Sequence, residues 1–129
     1  MAPAARFGRD RRLRVPAQFR RVFADPVKAG DRHVTVLART NDTGSARLGL
    51  AASKRNLRRA VDRNRFKRLV RESFRAHQGR LAGLDLVVIA RRDAASAERR
   101  QLRASIDRQW SIIRRRADAR GETTKGNHG

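Results

Sequence analysis

The sequence predicts an α+β two-layer sandwich: a small mixed sheet with helices packed on one side of it, in the order α-β-β-α-β-α. Three observations lead there. The hydrophobic period switches along the chain between helical and strand spacing. One apolar run, LDLVVIA at 84–90, is too short for a helix core and rich in Val and Ile. A helical segment lies between strand segments and others flank them, which suits a sheet covered by helices. The 129 residues suffice for one domain and little more.

Each element has a local cause. Pro16 suits a first helical turn, where its missing N–H costs nothing. Phe19, Val22 and Phe23 recur at i, i+3 and i+4, so 16–24 reads as a short amphipathic helix ended by Pro26 and Gly30. His33 to Arg39 alternates, with Val34, Val36 and Ala38 on one face, and reads as a strand. TNDTGS at 40–45 is dense in turn formers, and 48–52 is a second short strand, so 32–52 reads as a hairpin. Asn56 is placed to cap a helix running to about Gln78, with Gly79 and Gly83 after it. The buried strand 84–90 follows. From Ala94 to Ala117 the spacing is helical again, and Ala95, Leu102, Ile106, Trp110 and Ile113 form the stripe that packs on the sheet. Residues 13–117 are therefore expected as a single domain, between a flexible basic arm at 1–12 and a polar, aperiodic, disordered tail at 118–129.

The charge balance narrows the function. The chain carries 33 Lys or Arg against 12 Asp or Glu, a net charge of +21, and it has no cysteine. Such a charge repels itself and calls for a polyanion; phosphate backbones are the usual partner. The absence of cysteine excludes disulfides, thiolate zinc sites and a cysteine nucleophile. The first residues hold no apolar run of signal-peptide type and no stretch reaches the length of a membrane span, so a cytoplasmic protein with no membrane partner is expected. His33, His77 and His128 show no metal-ligand spacing, and there is no phosphate-binding glycine loop. Asp85 stands in an apolar strand as a buried polar contact. With no second carboxylate beside it, no protein-borne catalytic residue and no protein-bound metal or cofactor is expected.

The most informative segment is 53–75, SKRNLRRAVDRNRFKRLVRESFR, dense in Lys and Arg with two acids, Asp62 and Glu72. At about 100° per residue, with Phe66 at the origin, Leu69, Val70, Ser73 and Phe74 fall within about 80° of it and form a core face. Arg63, Lys67, Arg71 and Arg75 follow on the next flank, with Asn64 and Arg68 beside them. Like charges at i, i+4 repel by a few tenths of a kcal/mol per pair. An ordinary solvated face mixes signs; this one fits a polyphosphate ligand, with Asn64 available to a sugar, base or phosphate.

The same segment carries a resemblance. Arg63-Asn64-x-x-Lys67-Arg68-x-x-Arg71-Glu72 resembles the RNR signature of the bacterial ribonuclease P protein family. Arg47-Leu48-Gly49-Leu50 followed by Ser53-Lys54-Arg55 is similar to the strand and turn that precede it there. Leu13 with Phe19 and Phe23 resembles the family's opening helix, and Leu84–Ala90 with Arg91-Arg92 its last long strand. Val34 and Val36 depart from members with aromatics at those positions. The resemblance covers about residues 7–115. It implies a left-handed β-α-β crossover, against the general right-handed preference. It also implies an RNA subunit that performs the cleavage of the precursor-tRNA 5′ leader, with Mg²⁺ as the cofactor of that RNA. Lys54, Arg55, Arg58, Arg59, Arg63, Asn64, Lys67, Arg68 and Arg71 would then bind the catalytic RNA. Phe19 and Phe23 would line a cleft for the single-stranded leader, where an exposed ring accepts any base. No protein partner is implied. A ribosomal protein, equally small, basic and α+β, is the competing reading; a stand-alone hydrolase lacks a constellation of residues to support it.

Overall fold

The computed structural model describes residues 12–13 and 16–128, and of the side chains those up to residue 121. The order is α1 (Pro16–Ala24), β1 (Val27–Gly30), β2 (Val34–Thr40), β3 (Arg47–Ala51), α2 (Ala60–His77), β4 (Leu84–Ala90) and α3 (Arg99–His128), with short 3₁₀ turns at Gln78–Leu81 and Arg92–Ala94. The four strands form one mixed sheet in the spatial order β1-β2-β4-β3.

Strand β4 is central because both of its faces are apolar. Leu84, Leu86, Val88 and Ala90 turn to one side and Val87 to the other, all fully buried. It pairs antiparallel with β2 (Val36 opposite Val88) and parallel with β3 (Leu48 opposite Leu86). The expected hairpin over 32–52 is therefore corrected: β4 inserts between β2 and β3, and the true hairpin is β1–β2, with Val27 opposite Ala38. The 41–46 segment instead carries the chain across β4. Asn41 organises it by donating to the Ser45 carbonyl at 3.0 Å and accepting from the Thr43 backbone N–H at 3.0 Å. Gly44 takes a φ of 77°, a left-handed value that disfavours other residues. The strand β1 was not foreseen. At four residues, with Pro26 before it and Gly30 at its end, it is too short to show a period, and it sits on an edge where such residues are tolerated.

The larger core lies between one sheet face and helices α2 and α3. Val34, Val36 and Ala38 of β2 meet Phe66, Leu69, Val70 and Phe74 of α2 and Leu102, Ile106, Trp110 and Ile113 of α3. Phe74 and Trp110 pack edge to face with centroids 6.2 Å apart. Trp110 Nε1 donates to the buried Ser73 hydroxyl at 2.6 Å, and that hydroxyl donates to Asp107, so a polar lock joins the two helices. The α2 core face is the one the helical wheel predicts. Val34 and Val36 belong to this core, so their departure from aromatic character has no bearing on the other face.

Helix α1 lies on the reverse face, which corrects the expectation of helices on one side. Val22 and the half-buried Phe19 pack there with Leu13, Leu37 and Val87. Two helix starts are also corrected. Helix α2 begins at Ala60 rather than at an Asn56 cap, because Asn56 turns its side chain to the Ala90 carbonyl at 2.9 Å. Helix α3 begins at Arg99 rather than Ala94, and Ala95 precedes it while still packing on the core. At the other end α3 continues where a tail was expected from 118: Ala117 is buried, Arg120 pairs with Asp25, and the backbone is helical to His128. The basic arm expected at 1–12 lies, apart from Arg12, outside the described residues. Arg12 bridges to Leu48, and the Leu13 N–H donates to the Leu48 carbonyl at 3.1 Å, so the chain enters along the β3 edge.

One buried charge ties β3 to β4. Asp85 is 1% exposed, accepts from Arg47 Nε at 2.7 Å and Nη2 at 2.8 Å, and accepts from Asn41 Nδ2 at 2.7 Å. The Arg47–Asp85 hydrogen bond is the first cause, and the Asp85 charge a further one, of an Arg47 guanidinium held above its ordinary value. Replacing Arg47 by Ala leaves this carboxylate buried with one neutral donor. The expected loss is about 3 kcal/mol or more in urea denaturation; a change under about 1 kcal/mol would show that the pair does not hold the strands together.

Candidate nucleic-acid interface

Helix α2 positions a basic strip by burying the flank beside it. Phe66, Leu69, Val70, Ser73 and Phe74 are sunk in the core. Lys67 and Arg71 are consequently half-buried at their stems, while Asn64, Arg68 and Arg75 are exposed. Together with Glu72 they line a shallow depression of about 490 Å³. Glu72 does not neutralise it, because its carboxylate turns to Arg99 and Arg103 of α3, each at 3.5 Å. Among the described residues none of Lys67, Arg68, Arg71 and Arg75 is in an ion pair. Partial burial, then the positive charges of Arg12 and Arg75, push the Arg71 guanidinium below its ordinary value. Arg12 thus joins the same field from the β3 edge.

The structure brings together most of the residues expected from the sequence and separates two. Lys54, Arg55 and Arg58 are exposed on the turn that leads into α2, a turn held by Leu57, which is fully buried. Arg63 is half structural: its Nη1 donates to the Leu57 carbonyl at 2.8 Å and the Arg58 carbonyl at 2.9 Å, bracing that turn. Arg59 is committed to Asp62, with Nε–Oδ2 at 3.0 Å and Nη2–Oδ1 at 3.3 Å. That hydrogen bond is the first cause of an Arg59 held above its ordinary value and an Asp62 held below. Arg65 was not singled out from the sequence. It turns away from the strip and donates from Nη2 to the Ala94 carbonyl at 3.1 Å.

The reverse face of the sheet offers a second surface. Phe19 lies over Gly49, where a Cβ would come within 2.6 Å of the ring, so glycine is what lets α1 approach. Phe23 is 48% exposed at the far end of the same helix. The two rings are therefore in different settings: Phe19 is a packing residue with one side accessible, and Phe23 stands in solvent. Beside α1 the sheet shows the half-buried Ala51 and Ile89. Among the described residues no group of three or more His, Asp or Glu could hold a metal ion. His33 and His77 are in hydrogen bonds with Ser105 and the Ser73 carbonyl. No helix among the described residues is long and apolar enough to cross a membrane.

A small mixed sheet, a helix with an unneutralised cationic strip and a second open face define a basic α+β polyanion-binding domain. Comparison with known proteins narrows the class. A family model described as Ribonuclease P matches residues 7–114. The chain is 48% identical over 110 residues to the ribonuclease P protein component of Methylococcus capsulatus, covering 85% of this chain and 86% of the relative. It is 49% identical over 113 residues to that of Thioalkalivibrio sulfidiphilus, covering 88% and 94%. Among solved structures it is similar to the RNase P protein of Staphylococcus aureus (TM-score 0.72, 30% identity, 79% of this chain and 94% of that one). It is also similar to that of Thermotoga maritima (TM-score 0.67, 28% identity, 81% and 96%). The chain belongs to the ribonuclease P protein family, the protein subunits of the bacterial endoribonuclease that processes tRNA.

The bracing by Arg63 separates it from its neighbours on the strip. Arg63→Ala should cost about 1 kcal/mol of stability, through two lost carbonyl partners. Lys67→Ala should leave stability within about 0.5 kcal/mol, since it removes like-charge repulsion along with the packing of a half-buried stem and breaks no hydrogen bond or ion pair found among the described residues. Chemical denaturation of the two variants side by side checks this; equal losses would remove the distinction.

Proposed function

We propose that this protein, as the subunit of a ribonuclease P, holds the catalytic RNA on the α2 strip and the single-stranded 5′ leader of precursor tRNA on the reverse sheet face beside α1. The observation that carries the reading is the uncompensated charge of Lys67, Arg68, Arg71 and Arg75 on a helix whose acids face elsewhere. Phosphates bound there relieve the repulsion that the free protein carries. Lys54, Arg55, Arg58 and Asn64 extend this surface, and Arg63 contributes its remaining donors while bracing the turn. Phe19 and Phe23 offer ring faces to unpaired bases.

The chemistry assigned to the holoenzyme is hydrolysis of a phosphodiester, with Mg²⁺ supplied through the RNA subunit. This chain's residues do other work. They bring two polyanions together and screen their repulsion, and they favour a substrate that carries a leader over a product that lacks one. Precursor-tRNA cleavage at low Mg²⁺ tests the division of labour, with the RNA subunit alone, the protein alone and both. Only the combination should cleave quickly, and robust cleavage by RNA-free protein would reject the proposal.

Variants test the two surfaces separately. Replacing Lys67, Arg68 and Arg71 together by Ala should weaken binding of the RNA subunit and flatten the plot of log K against log salt by roughly two units, at about 0.7–0.9 per phosphate. An unchanged slope would mean that the strip is merely solvated. Phe19→Ala should leave that slope intact and weaken leader-bearing precursor by about 1–3 kcal/mol if a base stacks there, with mature tRNA as the unaffected control. Loss of the folded state instead would make the ring a pure core residue.

A further inference from the structure

Glu72 is the one acid between Asn64 and Arg75 on α2, and where its side chain goes decides how much of the strip stays charged. Residues three and four apart are neighbours on a helix surface. Arg68 stands four residues before Glu72 and Arg75 three after it, so the sequence offers the carboxylate a partner on either side. Among the described residues its ion pairs are elsewhere. Glu72 Oε1 lies 3.5 Å from Arg99 Nη2 and 3.5 Å from Arg103 Nη1, both on α3.

Arg103 is aimed at Glu72 by a chain of bonds that starts in the core. Trp110 Nε1 donates to the Ser73 hydroxyl at 2.6 Å, and both residues are fully buried. The Ser73 hydroxyl donates to Asp107 Oδ1, and the same oxygen accepts from Arg103 Nε at 3.0 Å. Arg103 is half-buried, with its Nε fixed, so Nη1 meets Glu72 from a set position and little side-chain freedom is left to lose. Arg99, one turn earlier on α3 and exposed, adds a second positive charge at the same carboxylate oxygen.

We propose that Arg103, assisted by Arg99, is a positioning residue for RNA binding: it holds the Glu72 carboxylate on the α3 side and so keeps Arg68 and Arg75 available to phosphate. The inference rests on the reading of the α2 strip as the surface for the RNA subunit, and it gives α3 a part in that surface without requiring α3 to touch RNA. With both guanidiniums removed, Glu72 turns to Arg68 or Arg75 and neutralises one cation before a phosphate arrives. Binding then has to displace a carboxylate as well as counterions.

The test measures binding of the RNA-subunit transcript from low to high KCl, with thermal melting as the check on folding. Arg99→Ala combined with Arg103→Ala should lower the slope of log K against log salt by about 0.7–0.9, the share of one phosphate, and weaken binding about fivefold. Arg99→Lys combined with Arg103→Lys keeps both charges and should keep the slope. Arg100→Ala combined with Arg115→Ala removes the same net charge from exposed α3 positions that are in no hydrogen bond or ion pair among the described residues, and should leave the slope unchanged. The deciding arm adds Glu72→Gln. In the wild-type background it should change the slope little, because the carboxylate is already held away. In the Arg99→Ala, Arg103→Ala background it should restore slope and affinity, a coupling that independent sites do not show. Should that double variant fail to fold, Arg99→Ala alone leaves the Arg103–Asp107 bond intact and carries the same cycle, with a loss of about twofold expected. Failure of Glu72→Gln to rescue would mean that the two arginines act on RNA directly. An equal effect of Glu72→Gln in both backgrounds would make Glu72 a plain local charge. Either result overturns the proposal, as does coincidence of the two alanine pairs. The Lys67, Arg68 and Arg71 variant run in parallel separates this failure from that of the wider reading: slope lost there, with the two alanine pairs alike, removes the role of Arg103 alone, whereas slope kept there removes the strip itself.

Discussion

Strand β4 must be covered on both faces, and the architecture follows from that constraint. Five of its side chains are buried hydrophobics on one face or the other. It therefore takes the interior position between β2 and β3, and each face requires its own cover. Helices α2 and α3 close one face with the larger core; α1 and the entering residue Leu13 close part of the other. Asp85 is the polar exception within the strand, and its ion pair with Arg47 joins the neighbour with which β4 runs parallel. Because α2 joins β3 to β4 and lays its apolar side on the sheet, its basic flank must emerge along the β3 side of the molecule.

The surplus of arginine is used in two different ways. On α3 the guanidiniums are mostly internal clamps: Arg108 reaches Asp31, Arg120 reaches Asp25, Arg114 donates to the Ala82 carbonyl at 2.8 Å, and Arg116 to the Lys28 carbonyl at 2.7 Å. The contacts to Asp25, Lys28 and Asp31 pin the helix over the edge strand β1 and its flanks, and Arg114 fastens it to the turn before β4. On α2, among the described residues, Lys67, Arg68, Arg71 and Arg75 are in no ion pair. The difference separates arginine that completes the fold from arginine whose charge the fold leaves uncompensated, a distinction that composition alone does not make.

What the sequence disclosed divides along local and non-local lines. The limits of α1 and β4, and the five core positions of α2, are matched residue for residue because each depends on period within one segment. The 32–52 hairpin failed because strand neighbours are chosen by burial: β4 outcompetes β3 for β2, and nothing between 40 and 45 records that. Asn56 reads as a cap in sequence, but its partner is the Ala90 carbonyl 34 residues away. Arg63 reads as a free cation because its carbonyl acceptors converge only when the turn is folded, whereas the acceptor of Arg59, Asp62, stands three residues away in the sequence itself. Glu72 lies within the basic segment, and its partners Arg99 and Arg103 are brought to it only in three dimensions.

The entry of the chain along β3 links the two surfaces. Residues 12 and 13 run beside Leu48, and alternation sends neighbouring side chains to opposite faces of a sheet. Leu13 goes to the reverse face, against the cluster that seats Phe19. Arg12 comes near enough to Arg71 for its charge to act on the α2 strip. Gly49, one residue on in β3, admits the Phe19 ring to within contact of the sheet backbone. One edge of the sheet therefore sets the spacing between the cationic strip and the ring-bearing face. Two RNA segments bound on either side would be held at a separation that the β3 backbone dictates. A change that shifts this edge moves both surfaces relative to each other, whereas a change on the outer side of α3 moves neither.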